Sequence, residues 1–433
     1  MNQKEEGLKR SIGVLGLSAN IINIMIGAGI FVLPAIIAAN MGASSIFAYI
    51  FCGILIALIM LCFAEAGSKV THTGGAYTYI ETAFGDYAGF ISGFFAITAT
   101  IFADAAISNA LVSLLGSAYP LFETEWVRIL ILFILFFGLI YINVIGIKQG
   151  IGLVKFNTVA KLIPLLILLI FGWKAVTLNN LHIDTLPSIK SLGTTSLILF
   201  FAFLGGETGL IVGGEVINPK RTIPKAIYIS LTVVIIIYIL IQTICQGVLG
   251  SDLPNFKSAP LAETAKVVFG SFGLVLLLVG AAVSMFGTMS GSLLNSPRVV
   301  YALARDKVIP VKALSKIHKT FGTPFISIII YGIVGFIIAA TGSFEKLAII
   351  ASSAMLIIYL GVALSVIKLR KLQKTQPGEF EIPGGWIVPI ISILIILYFL
   401  SHLNKNEMIA SGIFVGILSL IYVIITVFKN NVK

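Results

Sequence analysis

Five charged residues, Glu65, Asp104, Lys161, Glu207 and Glu215, fall within long apolar stretches of the chain. Charges in such stretches are rare and mark transport pathways. Two of the same stretches also carry paired glycines: "IMIGAGIFVLP" (residues 24–34) has Gly27-Ala28-Gly29, and "FFAFLGGETG" (200–209) has Gly205-Gly206 followed by Glu207. A glycine in a helix interior costs about 1 kcal/mol relative to alanine. It serves either close packing of a neighbouring helix or a break that exposes backbone to a ligand. In lipid, freed N–H and C=O groups are tolerated only where they line a cavity. The N-terminus of a half-helix favours a carboxylate, and freed carbonyls favour an ammonium. An anion site beside a cation site describes the backbone of an α-amino acid.

The elements that must position these residues are membrane spans. The chain has 433 residues, 58% hydrophobic and 11% charged, with a mean hydropathy of +1.06. Soluble domains carry roughly 25% charge, so the composition indicates a polytopic membrane protein. A hydropathy window of about 19 residues places twelve spans. They lie near 12–37, 44–66, 87–115, 126–146, 151–173, 191–216, 225–249, 266–302, 324–341, 346–367, 386–403 and 409–428. The start, "MNQKEEGLKR", is charged and lacks a small-residue cleavage motif, so no removable signal segment is expected.

The formal charge of +11 is a topology signal. With twelve spans both termini share a side, and 21 of the 29 Lys and Arg lie there: three before span 1, six between 69 and 225, six from 298 to 319, four from 368 to 374, and Lys429 with Lys433. Seven lie opposite, and Lys161 falls mid-span. This bias puts both termini in the cytoplasm and calls for no nucleic-acid partner. Cys52, Cys62 and Cys245 fall in spans without a paired spacing, so neither a disulfide framework nor a metal site is read. The four histidines are scattered and are read as surface residues. No loop is long enough for a soluble catalytic domain, and no GxxxxGK[ST] occurs. No enzyme chemistry and no cofactor are expected.

Span 1 opens the first five spans and span 6 the next five. Glycine interruptions at matching positions of two halves point to an inverted repeat with its site at the midplane. The motifs then carry a family resemblance. "MIGAGIF" resembles the glycine signature of the amino acid–polyamine–organocation transporters. "THTGGAYTYIETAFG" (71–85) resembles the family's loop after span 2, "FFAFLGGETG" and "GGEVINPKRTIPKAI" (213–227) its sixth span and following loop, and "SPRVVYALARDKVIP" (296–310) the cytoplasmic end of its eighth span.

The resemblance implies an all-α integral membrane protein with the leucine-transporter-like fold: twelve transmembrane helices, a five-plus-five inverted repeat and broken helices 1 and 6. The divisions would be a cytoplasmic N-terminus (1–11), a first repeat (12–175), a second (191–367) and C-terminal helices 11 and 12 (386–428). The substrate carboxylate would sit on Gly27, Ala28, Gly29 and Ile30, with Ile26 a further site residue. The substrate amino group would sit on Phe203, Leu204, Gly205, Gly206 and Glu207.

Lys161, about ten residues into span 5, lies about 15 Å deep. It is either a static ion-pair partner or, by resemblance, a lysine that fills the place of sodium and touches span 1 and a span 8 hydroxyl, Ser284 or Thr288. Glu207 is read as a proton-linked gate, a clasp between spans or a cap on the broken helix. Asp104 either attracts a cationic side chain, pairs with Lys161 or bonds a neighbouring helix, with Thr100 and Asn109 as weaker polar contacts. Phe201 is a lid over substrate or core packing. Glu65 and Glu215 are read as anchors for the basic inner surface. Where arginine exchangers carry a tryptophan, "TMSGSLLN" (288–295) has only small and polar residues, which points away from arginine.

The expectation is therefore a sodium-independent amino acid transporter of the cell membrane, working by alternating access and coupled to protons or exchange. A cationic amino acid or polyamine antiporter is the first alternative. A channel is remote, since no repeated filter motif is present.

Overall fold

The computed structural model describes residues 12–70, 75–146, 151–183, 185–207, 216–305, 309, 311–372, 376 and 379–431. Among these the protein is all-helical, with no named strand and one isolated bridge, Ile12 to Val216. The helices are α1 (Val14–Met25), α2 (Gly29–Met41), α3 (Ser45–Lys69), α4 (Ala76–Phe84), α5 (Asp86–Ala118), α6 (Glu125–Val144), α7 (Ile151–Phe171) and α8 (Ile189–Leu199). They continue with α9 (Pro219–Leu249), α10 (Pro260–Phe269), α11 (Ser271–Arg305), α12 (Phe325–Thr341), α13 (Phe344–Leu372), α14 (Ile387–Leu400) and α15 (Lys405–Asn431).

Lengths separate these helices into two kinds. Crossing a hydrocarbon core of about 30 Å takes about 20 residues. Among the described residues, α3, α5, α6, α9, α11, α13 and α15 lie in stretches long and apolar enough to cross alone. By contrast α1 has 12 residues and α2 has 13, so neither spans by itself. The protein is a multi-pass membrane protein.

Three boundaries differ from the hydropathy reading. Span 8 was expected from 266, but the apolar run there contains a corner: α10 ends at Phe269, Gly270 takes φ +67°, and α11 begins at Ser271. A left-handed φ is open to glycine and costly for other residues, and a hydropathy window does not register it. The stretch after span 2 was expected to be a loop, yet Ala76–Phe84 forms a helix with an apolar face, burying Tyr79, Ile80 and Ala83. Span 6 was expected near 191–216 with its break at Gly205-Gly206, but it leaves the α-helix earlier. α8 stops at Leu199, a tight turn covers Phe200–Phe203, and turns continue to Glu207. Glu215 lies outside the described residues.

The interior is one continuous apolar cluster that includes Leu17, Phe63, Phe203, Met285 and Tyr359. α9 packs against both α1 and α3, and α13 against α5 and α3. Exposed Ile, Leu, Val and Phe side chains on α6, α14 and α15 face outward, as a lipid-facing surface requires. At one end Glu65 anchors the chain. It is fully buried and accepts from Arg370 Nε (2.6 Å), Arg370 Nη2 (2.5 Å) and the Ile382 N–H (2.9 Å). A bidentate arginine and a backbone donor satisfy the carboxylate well enough to hold a charge inside. That matches its expected role as an anchor.

Candidate functional site

The helix that begins as α1 ends because its hydrogen-bond ladder is cut at Gly27. The Gly27 N–H would reach Asn23 O in a continuing helix, but it bonds Met25 O at 2.8 Å. Ile26 has ψ 79°, outside the helical range. Ile26, Gly27 and Ala28 then bridge to α2, which starts at Gly29 with no side-chain cap on its first turn. Two sets of backbone groups are thereby released: carbonyls at the end of α1, and the N–H groups of Gly29 and Ile30 at the positive end of α2.

The second interruption lies directly against the first. A Cβ on Gly29 would fall 2.6 Å from Ala202 Cα, so only glycine permits this approach. Gly205, with φ +102°, sits on Ile24, where a Cβ would be 2.9 Å from the Ile24 side chain; one on Gly206 would be 3.1 Å from Met25 Sδ. Gly27 is different, since a Cβ there would meet Thr288 at an ordinary 3.7 Å. The glycines therefore serve close packing and the break together, and the two sequence readings are not alternatives.

Lys161 reaches this junction from α7. It is buried, 5% exposed, and its Nζ donates to the carbonyl of Asn23, the group that the break at Gly27 releases. Neither expected hydroxyl of α11 takes the ammonium. Thr288 Oγ1 turns back to Ser284 O at 2.8 Å, and Ser284 Oγ is buried with no partner among the described residues.

Glu207 closes the second interruption. Its carboxylate accepts from the Gly205 N–H (3.1 and 3.2 Å) and from the Tyr359 hydroxyl of α13 (2.5 Å). This geometry makes it both a cap on the interruption and a clasp to another helix. Leu204 is half-buried beside it. Phe201 is buried and packs edge-on against Phe344 at the start of α13, with ring centroids 5.6 Å apart, and Phe203 packs against Tyr238 at 5.1 Å.

Asp104 follows the third of its sequence readings. It is 1% exposed, and its Oδ2 accepts from Ser292 of α11 (2.9 Å) and Tyr331 of α12 (2.8 Å). It joins three helices and is not bonded to Lys161, whose ammonium goes to Asn23. Thr100 donates within its own helix, to Ala96 O and Ile97 O. Asn109 accepts from Arg128 at 2.8 Å and donates to Ala339 O at 2.9 Å, away from the two interruptions.

Three tyrosines that sequence reasoning missed complete the arrangement. The Tyr238 hydroxyl lies 2.8 Å from Met25 O and 2.9 Å from Ala202 O, one carbonyl from each interruption. Tyr331 and Tyr359 hold the two carboxyls. The available signal was a tyrosine inside an apolar run, whose hydroxyl needs a partner when buried.

The fold defines a polytopic membrane protein in which the break between α1 and α2 meets the end of α8. The chain belongs to the amino acid permease family, which matches residues 12–429, within the amino acid–polyamine–organocation superfamily that its motifs resemble. It is 32% identical over 402 residues to the serine/threonine exchanger SteT of Bacillus subtilis, covering 91% of both chains. It is 26% identical over 420 residues to the branched-chain amino acid permease BcaP of the same organism, covering 92% of this chain and 89% of the relative. With the b(0,+)-type amino acid transporter 1 of Mus musculus it shares 26% identity over 423 residues, covering 91% and 82%.

Proposed function

We propose that the protein carries a neutral amino acid across the cell membrane by alternating access, without sodium, and coupled to protons or to exchange of a second amino acid. The observation that carries this reading is the meeting of the two interruptions. The N–H end of α2 stands against the carbonyl end of the α8 segment at the Gly29–Ala202 contact. Helix dipoles place partial positive charge on the first and negative charge on the second. Ile26–Ile30 then hold the carboxylate and Phe203–Glu207 the ammonium, with Phe201 as the side chain that covers them.

The names of the two Bacillus subtilis relatives, a serine/threonine exchanger and a branched-chain amino acid permease, support a neutral substrate. The two carboxyls support it too, because each is already engaged: Glu207 by the Gly205 N–H and Tyr359, Asp104 by Ser292 and Tyr331. In the same reading, α1 with α2 and α8 with its continuation count as single broken helices, giving twelve spans. Residues 12–175 and 191–367 form the inverted repeats, and both termini are cytoplasmic.

Uptake by proteoliposomes of labelled serine, threonine, leucine, arginine and putrescine, with and without a pH gradient, tests the proposal. Saturable uptake of a neutral amino acid is expected. Uptake confined to arginine or putrescine would overturn the substrate class, and non-saturable flux would overturn carriage in favour of a channel.

A further inference from the structure

α9 carries Tyr238, Gln242 and Gln246 at four-residue spacing, so the three stack along one face of the helix. All three are buried, at 0%, 1% and 5% exposure. Tyr238 is satisfied by the two carbonyls described above, and Gln246 Nε2 reaches Asn180 O and Gly250 O, both at 3.3 Å. Gln242 has no partner at either amide atom among the described residues, and Gln246 Oε1 has none.

The facing helices repeat the pattern. Tyr49 Oη of α3 and Ser196 Oγ and Thr195 Oγ1 of α8 are likewise buried without partners among the described residues. Cys52, one turn from Tyr49, donates to Ser196 O at 3.4 Å, which brings these groups to one interface. α3 packs against both α9 and α8. Buried polar atoms are almost always hydrogen-bonded to protein or to ordered water.

A cavity of about 160 Å³ opens beside Gln242 and Gln246, lined also by Ala43, Ile46, Leu181, Ile183 and Thr243. One water needs roughly 10–15 Å³ of such space and two to four polar partners. Among the described residues no charged side chain lines the cavity, and a primary amide with no protein partner among them needs an occupant that both donates and accepts.

We propose that this cavity is a water-binding site. Ordered waters held by Gln242, one helical turn from the tyrosine that bridges the two interruptions, fill it and extend inward to Tyr49 on α3. Its role follows from the hydroxyl count. Tyr238 has one proton and two carbonyl acceptors, Met25 O and Ala202 O. When the interruptions shift relative to each other, one carbonyl is released, and water from this site donates in place of Tyr238.

Hydroxyl-radical footprinting of the full-length protein in nanodiscs, in ¹⁸O-labelled water, tests the assignment. Tyr49 is fully buried, so it can be labelled only by bound water. It should be hydroxylated within about threefold of exposed Tyr119, while Tyr359, buried and bonded to Glu207, stays protected. Gln242→Leu should cut Tyr49 labelling by about fivefold or more, and Gln242→Asn should retain most of it. Gln242→Met repeats the test with a side chain of closer shape, and continued protection of Tyr359 certifies the fold of each variant. Tyr49 as protected as Tyr359 in the parent would overturn the site. Labelling of Tyr49 undiminished in both Gln242→Leu and Gln242→Met would overturn Gln242 as its anchor.

Discussion

Tyr238 shows how a single atom can hold the proposed site together. Its hydroxyl contacts Met25 O and Ala202 O, in segments 213 and 36 residues away. Removing one partner of a buried hydrogen bond costs about 1–3 kcal/mol, and Tyr238→Phe takes away the one hydroxyl proton that Ala202 O and Met25 O share, although Met25 O keeps the Gly27 N–H. The variant is expected to lose about that much stability in thermal unfolding, whereas Tyr228→Phe on the exposed face should be neutral; equal melting of both would remove Tyr238 from the account. Glu207→Gln is expected to act on transport. An amide does not titrate, and it cannot accept at both oxygen positions from Gly205 and Tyr359. The pH dependence of uptake should flatten, with exchange less affected than concentrative uptake. A variant that keeps the parental pH profile would leave Glu207 as a structural cap.

Much at this scale was legible in the sequence. Lys161, Glu207 and Asp104 stand out because a charge in an apolar span is conspicuous. The tyrosines do not, since a tyrosine in such a span is equally at home at the lipid interface. Their partners are backbone carbonyls and carboxyls far along the chain, which leave no local spacing to read. The hydroxyls expected for Lys161 failed for a related reason. The cut in the ladder at Gly27 releases a carbonyl closer to hand, and a backbone oxygen has no residue type to announce it.

At the scale of the element, the glycines divide by what a side chain would meet. A Cβ at Gly29 would strike the Ala202 backbone at 2.6 Å, while one at Gly27 would rest against Thr288 at 3.7 Å. Overpacking a tight contact costs about 1–3 kcal/mol. Gly29→Ala is therefore expected to lower stability and transport markedly, and Gly27→Ala to be tolerated, as measured by thermal unfolding and uptake of the purified variants. Equal effects would mean that the two interruptions do not meet as described. The sequence marked the break at Gly27 and the turns around Gly205, because paired glycines in an apolar run are costly and so call for a reason. It did not distinguish packing glycine from open glycine, which depends on the backbone across the contact. The corner at Gly270 was hidden in the same way, by apolar residues on both sides.

For the whole molecule, the central proposal is that a fixed ammonium takes the place of a coupling cation where the α1–α2 break meets the end of α8. A lysine near the midplane costs about 2.5–3.5 kcal/mol on insertion scales, and here its cost is offset by the carbonyl of Asn23. Lys161→Ala should still insert and bind substrate, yet turn over slowly or lose proton coupling. The most direct measurement is initial-rate uptake of the preferred amino acid by parent proteoliposomes when bath sodium is replaced by choline at constant ionic strength. The account predicts an unchanged rate, because the lysine already supplies the positive charge. Uptake that collapses in choline and returns with sodium would contradict it.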